Sequence, residues 1–499
     1  MPAKPKILFV AAEAWPLVKT GGLADVVPAL ALALLDEGHD VRLLLPAYRQ
    51  VRKSFAGKPA GRPFEALPGA GRVRLLRGEL PGYGIKSWLL HCPLLYDRPG
   101  GPYSDPQGHD WWDNSLRFGL LCKVAARFAS GRGLDGWKAD ILHGHDWHAG
   151  LAPAYCHFAP GVEAATVFTI HNLAYQGNFD RGVSHALGID PGALQMDGLE
   201  FYGQLSFMKA GLWYSDWLTT VSPTYAGQIQ SEEYGCGMAG VLRRRRKELA
   251  GILNGVEERV WSPDSDPLLP AHFSAGELAG KARCKRELQA RFGLAPDPDI
   301  PIIAMVGRMT LQKGWDLLAE AAPGLISDGV QLALVGNGEP AVEAIVSGLA
   351  SRHPGRIALH LGYDEPLSHL VMAGADMFTV PSRFEPSGLT QMYSQRYGTP
   401  PVVRRTGGLA DSVVQATPAS VADGTGTGFL FAAAEAAALA AALRQAVGLY
   451  RNEPAAWRKL QANGMARDFS WRGPARKYSE VYAAALAASR SRRTAARTA

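Results

Sequence analysis

The sequence predicts an α/β protein of two Rossmann-like domains facing one cleft, and three observations carry that prediction. Apolar, often β-branched runs alternate with helical stretches along most of the chain, the pattern of parallel sheets covered by helices. At 499 residues the chain exceeds a single ordinary core, so two large domains fit best. The hexapeptide Thr-Gly-Gly-Leu-Ala-Asp occurs twice, at Thr20 to Asp25 and Thr406 to Asp411, each time behind a basic residue, Lys19 or Arg405. Each copy follows a short apolar run and opens a helical stretch. Loops of this kind bind anions, because glycines let backbone N–H groups approach and the helix dipole favours negative charge.

In chain order, Ile7 to Ala12 reads as the first strand and Leu23 to Glu37 as a helix stopped by Gly38. Val41 to Leu45 is a strand, Ser115 to Ser130 a helix stopped by Gly131, and Ile141 to Leu142, Ala165 to Ile170, Leu218 to Val221 and Gly251 to Leu253 are strands. After Asn254-Gly255 the composition breaks, and the Pro-, Ser- and Asp-rich stretch from Trp261 has the turn chemistry of a linker, which places a hinge there. The alternation restarts with strands Ile302 to Val306, Gln331 to Val335, Ile357 to Leu361, Met377 to Val380 and Pro401 to Val403. Trp315 to Ala322, Leu367 to Ala373, Gly388 to Tyr397, Ala432 to Leu449 and Tyr478 to Ala488 read as helices, and the Arg/Thr/Ala end after Ser489 as frayed.

Composition narrows the function. With 47% hydrophobic and 20% charged residues the chain is neither disordered nor membrane-embedded, and no apolar run approaches the ~20 residues of a span. Glu13 and Pro16 interrupt the N-terminal run, so it is a buried strand rather than a signal peptide, and a cytoplasmic protein is expected. Five widely spaced cysteines without a C-x-x-C pair read as reduced thiols. The net charge of +6 owes much to Arg490, Arg492, Arg493 and Arg497. The one dense basic run, Arg243 to Lys247, lacks interleaved aromatics and reads as a solvated helix face, so neither nucleic acid nor membrane is an expected partner.

Seven motifs, in order, are Lys19-Thr-Gly-Gly-Leu-Ala-Asp-Val, His145-Asp-Trp-His-Ala-Gly, His171-Asn-Leu-Ala-Tyr-Gln-Gly, Leu253-Asn-Gly-Val, Gly307-Arg-Met-Thr-Leu-Gln-Lys-Gly, Pro381-Ser-Arg-Phe-Glu-Pro-Ser-Gly-Leu-Thr-Gln and Arg405-Thr-Gly-Gly-Leu-Ala-Asp. Together they resemble the bacterial glycogen synthases and plant starch synthases, ADP-glucose-using enzymes of the GT-B architecture, nearly end to end. The resemblance implies an acceptor-side domain over residues 1–254, a nucleotide-sugar domain over 255–467, a helix over 468–488 returning to the first domain, and a disordered basic tail over 489–499. It implies transfer of glucose from ADP-glucose to the non-reducing 4-hydroxyl of an α-1,4-glucan with retention, the two domains closing over the donor.

Such a reaction places negative charge on the leaving diphosphate and oxocarbenium character on the sugar, so it needs cations and preorganised polar groups. By resemblance, Arg308 and Lys313 grip the diphosphate, and Lys19 with Gly21, Gly22 and Asp25 lies near the donor phosphates. Glu385 matches the family's essential carboxylate, and Ser387, Gly388, Leu389 and Thr390 the phosphate-binding helix start. His171 and Asn172 match residues that hydrogen-bond the glucose, and Asp146 one near sugar and acceptor. Tyr96, Asn254 and Tyr363 join the donor set, while Trp147, His148 and Tyr175, with Trp111 and Trp112 nearby, are acceptor-side candidates. Where other retaining families carry a second Glu this chain has Tyr393, in keeping with the glycogen and starch synthase branch. Ser387 stands where many relatives have Cys, and Glu257 where Asp is common.

No metal or other cofactor is expected. The spacing of His143, His145, Asp146 and His148 matches the family's metal-free motif, and the two Asp-x-Asp matches, Asp264 with Asp266 and Asp297 with Asp299, lie in Pro-rich turns. Two alternatives stay open: the same transfer from UDP-glucose, and a catalytically silent glucan-binding relative. A nicotinamide-dependent dehydrogenase is set aside because neither hexapeptide supplies G-x-G-x-x-G. The sequence does not give the oligomeric state.

Overall fold

A computed structural model describes residues 4–134 and 136–498, with side chains up to residue 494. The chain forms two compact units, Met1–Gly255 with Trp471–Ala499, and Val256–Ser470.

The first unit is built on strands β1 (Lys6–Val10), β2 (Asp40–Pro46), β3 (Lys58–Phe64), β4 (Val73–Leu80), β5 (Ile85–His91), β6 (Ile141–His145) and β7 (Ala165–Ile170), then the short β8 (Asn178–Phe179), β9 (Glu200–Phe201) and β10 (Gln204–Ser206), then β11 (Trp217–Thr220) and β12 (Leu249–Gly251). Nine of them form one sheet in the order β12-β11-β7-β6-β1-β2-β5-β4-β3, while β8-β10-β9 form a small antiparallel sheet. The large sheet is parallel from β12 to β5. Its centre is buried on both faces, which is why β7 is an unbroken apolar and threonine run and every residue of β6 is buried. Strand order reverses at β1, whose neighbours are β2 and β6. The loops after β1, β6 and β7 therefore emerge at the carboxyl ends of strands around a topological switch point, where open α/β sheets bind ligands.

The second unit restarts with β13 (Ile302–Val306), β14 (Gln331–Gly336), β15 (Ile357–Leu361), β16 (Met377–Val380), β17 (Pro401–Arg404) and β18 (Phe429–Phe431), all parallel, in the order β15-β14-β13-β16-β17-β18. Numbered within the unit that is 3-2-1-4-5-6, the dinucleotide-fold order, with its switch point between β13 and β16.

Two expectations change. The segment from Trp261 is not a free linker: it is built into the second unit. Trp261 is buried between His369 and Tyr393, with ring centroids 3.8 Å and 4.0 Å away, and Asp266 takes 2.6 Å bonds from His369 and Tyr397. The chain passes between units at Gly255–Val256 and at Ser470–Trp471, where the Val256 amide donates to the Phe469 carbonyl at 2.7 Å. The final helix runs Arg472–Thr498, so the basic stretch expected to be disordered is helical; Ala499 lies outside the described residues. Alanine and arginine favour helix, and Arg492 reaches the buried carboxylate of Asp216 at 2.5 Å. This helix packs on β7, β11 and the helix Leu23–Asp36, burying Tyr478, Tyr482 and Ala485 in the first unit's core. Among the described residues, no helix is long and apolar enough to cross a membrane.

Candidate active site

At the first unit's switch point, the loop after β1 turns back into the helix Leu23–Asp36, which has Gly22 at its N-cap and no side-chain cap. Lys19 forms a 2.8 Å ion pair with Asp25 across this loop. Glu13, which in the sequence only interrupts an apolar run, organises the turn. Its buried carboxylate accepts from the Thr20 amide, from the Gly21 amide at 3.3 Å and from the Tyr103 hydroxyl. Burial raises its pKa, against the lowering effect of those three donors. A carboxylate directly after a buried apolar run was the available signal, since a buried charge needs partners. Beside Gly21 the backbone is open: a Cβ there would meet nothing within 4 Å.

The loops after β6 and β7 interlock. Asp146 follows β6 at φ 58°, an uncommon value for a non-glycine residue, and its carboxylate accepts from the amides of His171 at 2.8 Å and Asn172 at 3.2 Å. Asp146 thus holds the backbone of the two residues assigned to the glucose. Burial lifts its pKa to about 7, only partly offset by those amides. The His171 ring meets His145 at 3.1 Å, and burial drops its pKa to about 3, so it is neutral at physiological pH. His143 bonds Thr169 at 2.6 Å and Tyr482 of the final helix at 2.9 Å, linking that helix to the strand that carries His145.

The acceptor-side candidates separate. Trp147 and His148 belong to a packed aromatic cluster with Tyr103, Phe118, Phe179 and Phe207, whereas Tyr175 is 46% and Trp112 86% exposed. Trp111 lies under the guanidinium of Arg98 at 5.2 Å. Tyr96, expected near the donor, is buried with its hydroxyl committed to the Arg117 carbonyl at 2.6 Å, so it supports the first unit's core instead of lining a site. Asn254 is buried where the chain leaves the first unit.

At the second unit's switch point, the turn after β13 carries Arg308 and Lys313, and the loop after β16 carries Glu385. The two are tied together: the Arg383 amide donates to the Gln312 carbonyl at 2.7 Å, the Gln312 side chain donates to the Phe384 carbonyl at 3.2 Å, and Arg383 pairs with Asp316 through 2.8 and 2.6 Å bonds. The lock brings Lys313 Nζ within 2.5 Å of Glu385 Oε2, which also accepts from Ser382 at 3.0 Å. Glu385 is buried, Lys313 only partly, and Arg308 is exposed on the same turn. Beyond Glu385 the chain passes the buried Ser387 and then the half-buried Gly388, at φ 66°, into a helix starting at Thr390 after Leu389. Gln391 pins that start by donating to the carbonyls of Ser387 at 3.2 Å and Gly388 at 3.0 Å. First-turn amides such as those of Leu389 and Thr390 lack partners in a helix's own ladder and suit an anion. Tyr363 follows β15 and is 62% exposed.

The second hexapeptide departs from its expected role. Its glycines do not frame open space but abut the Glu385 loop, and the helix they open, Gly407–Ser412, is only six residues long. Three of the four Asp-x-Asp carboxylates are engaged within the fold: Asp266 as above, Asp264 by Ser262 at 2.7 Å, and Asp297 by the Asp299 amide at 2.9 Å.

Comparison with known proteins agrees with this geometry. Residues 6–244 match the family model described as starch synthase catalytic domain, and residues 300–449 that described as glycosyl transferases group 1. The chain is 48% identical to a glycogen synthase of Aromatoleum aromaticum over 97% of this chain and 98% of the relative, and 49% identical to one of Thioalkalivibrio sulfidiphilus over 96% and 99%. Among solved structures it resembles the catalytic domain of starch synthase IV from Arabidopsis thaliana bound to ADP and acarbose, with a TM-score of 0.88 and 30% identity, covering 97% of this chain and all of that one. A sucrose-phosphate synthase from Thermosynechococcus elongatus, at 20% identity and a TM-score of 0.59, shares the fold. With relatives this similar along nearly its whole length, the chain belongs to the glycogen synthase family and has its GT-B architecture.

Proposed function

We propose that this chain transfers glucose from ADP-glucose to the non-reducing 4-hydroxyl of an α-1,4-glucan, with retention of the anomeric configuration. The observation that carries the reading is the buried Glu385 carboxylate, held by Lys313 at 2.5 Å and Ser382 at 3.0 Å at the switch point of a dinucleotide-type sheet. As the bond from the anomeric carbon to the diphosphate oxygen breaks, its electrons leave with ADP. Lys313 and Arg308 meet that charge, Arg308 as a bidentate donor and Lys313 as a point charge. Glu385, next to the sugar, stabilises the developing oxocarbenium ion. The Leu389 and Thr390 amides hold phosphate, and Tyr363, after the edge strand β15, receives the base.

Within the first unit, Lys19 and the Gly21 loop suit phosphate, and neutral His171 with Asn172 suits glucose hydroxyls. A neutral imidazole hydrogen-bonds a sugar without opposing the positive charge that grows on it. Tyr175 serves the glucan. Two cations at the diphosphate make a metal redundant, so turnover is expected in EDTA. The ADP and acarbose held by the starch synthase IV relative support both the nucleotide and the glucan halves of this reading.

Glucose incorporation into glycogen, from ADP-glucose and separately from UDP-glucose in excess EDTA, tests it. ADP-glucose transfer well above UDP-glucose transfer is expected. Preference for UDP-glucose would reassign the donor, and no transfer from either would leave a silent glucan-binding relative.

A further inference from the structure

The two identical hexapeptides do different work. In the first, Gly21 borders open space. In the second, the Gly408 amide donates to the carbonyls of both Glu385 and Pro386 at 3.1 Å, and the glycine faces are covered by the loop they hold. A Cβ on Gly407 would stand 1.9 Å from the Glu385 carbonyl oxygen, and one on Gly408 would stand 2.0 Å from that of Ser387. Gly407 also sits at φ 43°, where any side chain adds strain. From this geometry we infer that Gly407 and Gly408 are positioning residues that seat the loop carrying Glu385, so that the repeated motif is an anion loop in one unit and a backbone clamp in the other. The inference rests on the role proposed for Glu385.

The arrangement divides the effects. Real Cβ atoms essentially never approach closer than 3.0 Å, so alanine at 407 must push the Glu385 backbone away by about an ångström. The carboxylate moves with it, off Lys313 and Ser382. The start of the next helix is tied instead to the far end of the Gly407–Ser412 helix, by Gln391 donating to Ser412 Oγ at 3.0 Å and Gln395 to the Ser412 carbonyl at 3.1 Å, so the phosphate-facing amides move less than the Glu385 backbone. Misplacing a reacting group by about 1 Å costs roughly 10²-fold. Gly407→Ala is therefore expected to lower kcat about 10²-fold while leaving ADP affinity within a few-fold. Gly408→Ala, which displaces Ser387 beside Gly388, is expected to weaken ADP as well.

A double-mutant cycle on the full chain separates positioning from general damage. If Gly407 acts through Glu385, Gly407→Ala costs little in a Glu385→Gln background, and the double variant matches Glu385→Gln alone. Multiplying losses, or a folded Gly407→Ala protein with unchanged kcat, would overturn the inference. A crystal structure of Gly407→Ala supplies a readout independent of activity: the inference requires a displaced Glu385 and fails if the Lys313 ion pair is intact. A wild-type protein inactive with every donor would instead strike at the proposed function, while the crystal structure would still decide the role of Gly407.

Discussion

Glu385 is a buried carboxylate with two side-chain donors, and its removal should be felt in the chemical step. Glu385→Gln keeps the shape and loses the charge, so kcat for ADP-glucose should fall by at least about 10²-fold, the scale seen when one preorganised transition-state group is lost. Near-normal turnover would place the essential charge elsewhere. Asp146 gives a prediction with a pH sign. Its folded pKa of about 7 lies above its ordinary 3.8, so the folded state favours the protonated form. The stability this confers is complete below about pH 3.8 and is lost as the pH rises through 7. Asp146→Asn cannot titrate yet still offers an oxygen to the His171 and Asn172 amides. Its Tm should fall less than that of wild type as the pH rises from 4 to 7. Parallel profiles would mean that Asp146 is not the group responsible. Most of these side chains could be read in the sequence because they sit in short motifs at strand ends. The partners of Glu13, His145 and Gly407 could not be: Glu13 is met by Tyr103, 90 residues away, and the partners of the others are likewise contributed by different loops.

At the scale of elements, legibility followed burial. Strands β13 and β16 lie where their apolar runs said, because a strand covered on both faces must be apolar throughout. Strand β3, Lys-Pro-Ala-Gly-Arg-Pro-Phe, went unread, since an edge strand tolerates prolines and needs no apolar run. The stretch after Trp261 misled for a related reason: turn residues describe local backbone, not what a single tryptophan packs against. Trp261→Ala should cost the second unit about 3–5 kcal/mol, measurable by urea unfolding. In the final helix, Tyr482→Phe removes only the hydroxyl that meets buried His143. It should cost about 1–3 kcal/mol, the penalty of a buried polar group left without its partner. A loss of activity larger than the loss of stability would show that the His143 bond also tunes the His145–His171 pair.

Over the whole molecule, the division is uneven in connectivity. The second unit is one continuous stretch with its own apolar core, whereas the first is completed only by residues from Trp471 onward. A protein of residues 256–470 alone should therefore fold cooperatively. Residues 1–255 alone should not, because the seats of Tyr478, Tyr482 and Ala485 would be left bare, at about 1.5–3 kcal/mol for each large side chain against a total stability of about 5–15 kcal/mol. Circular dichroism and thermal melts of the two fragments check this; a well-folded 1–255 fragment would show the helix to be an accessory.

The returning helix also sets an order of events during synthesis. Domains usually fold from the N-terminus as they leave the ribosome. Here the first unit must wait for the second, since the tyrosines that close its sheet are translated after the whole of Val256–Ser470. Until then β7 and β11 lack the helix that covers them, so a nascent chain stalled before Trp471 should expose its first unit to chaperone capture.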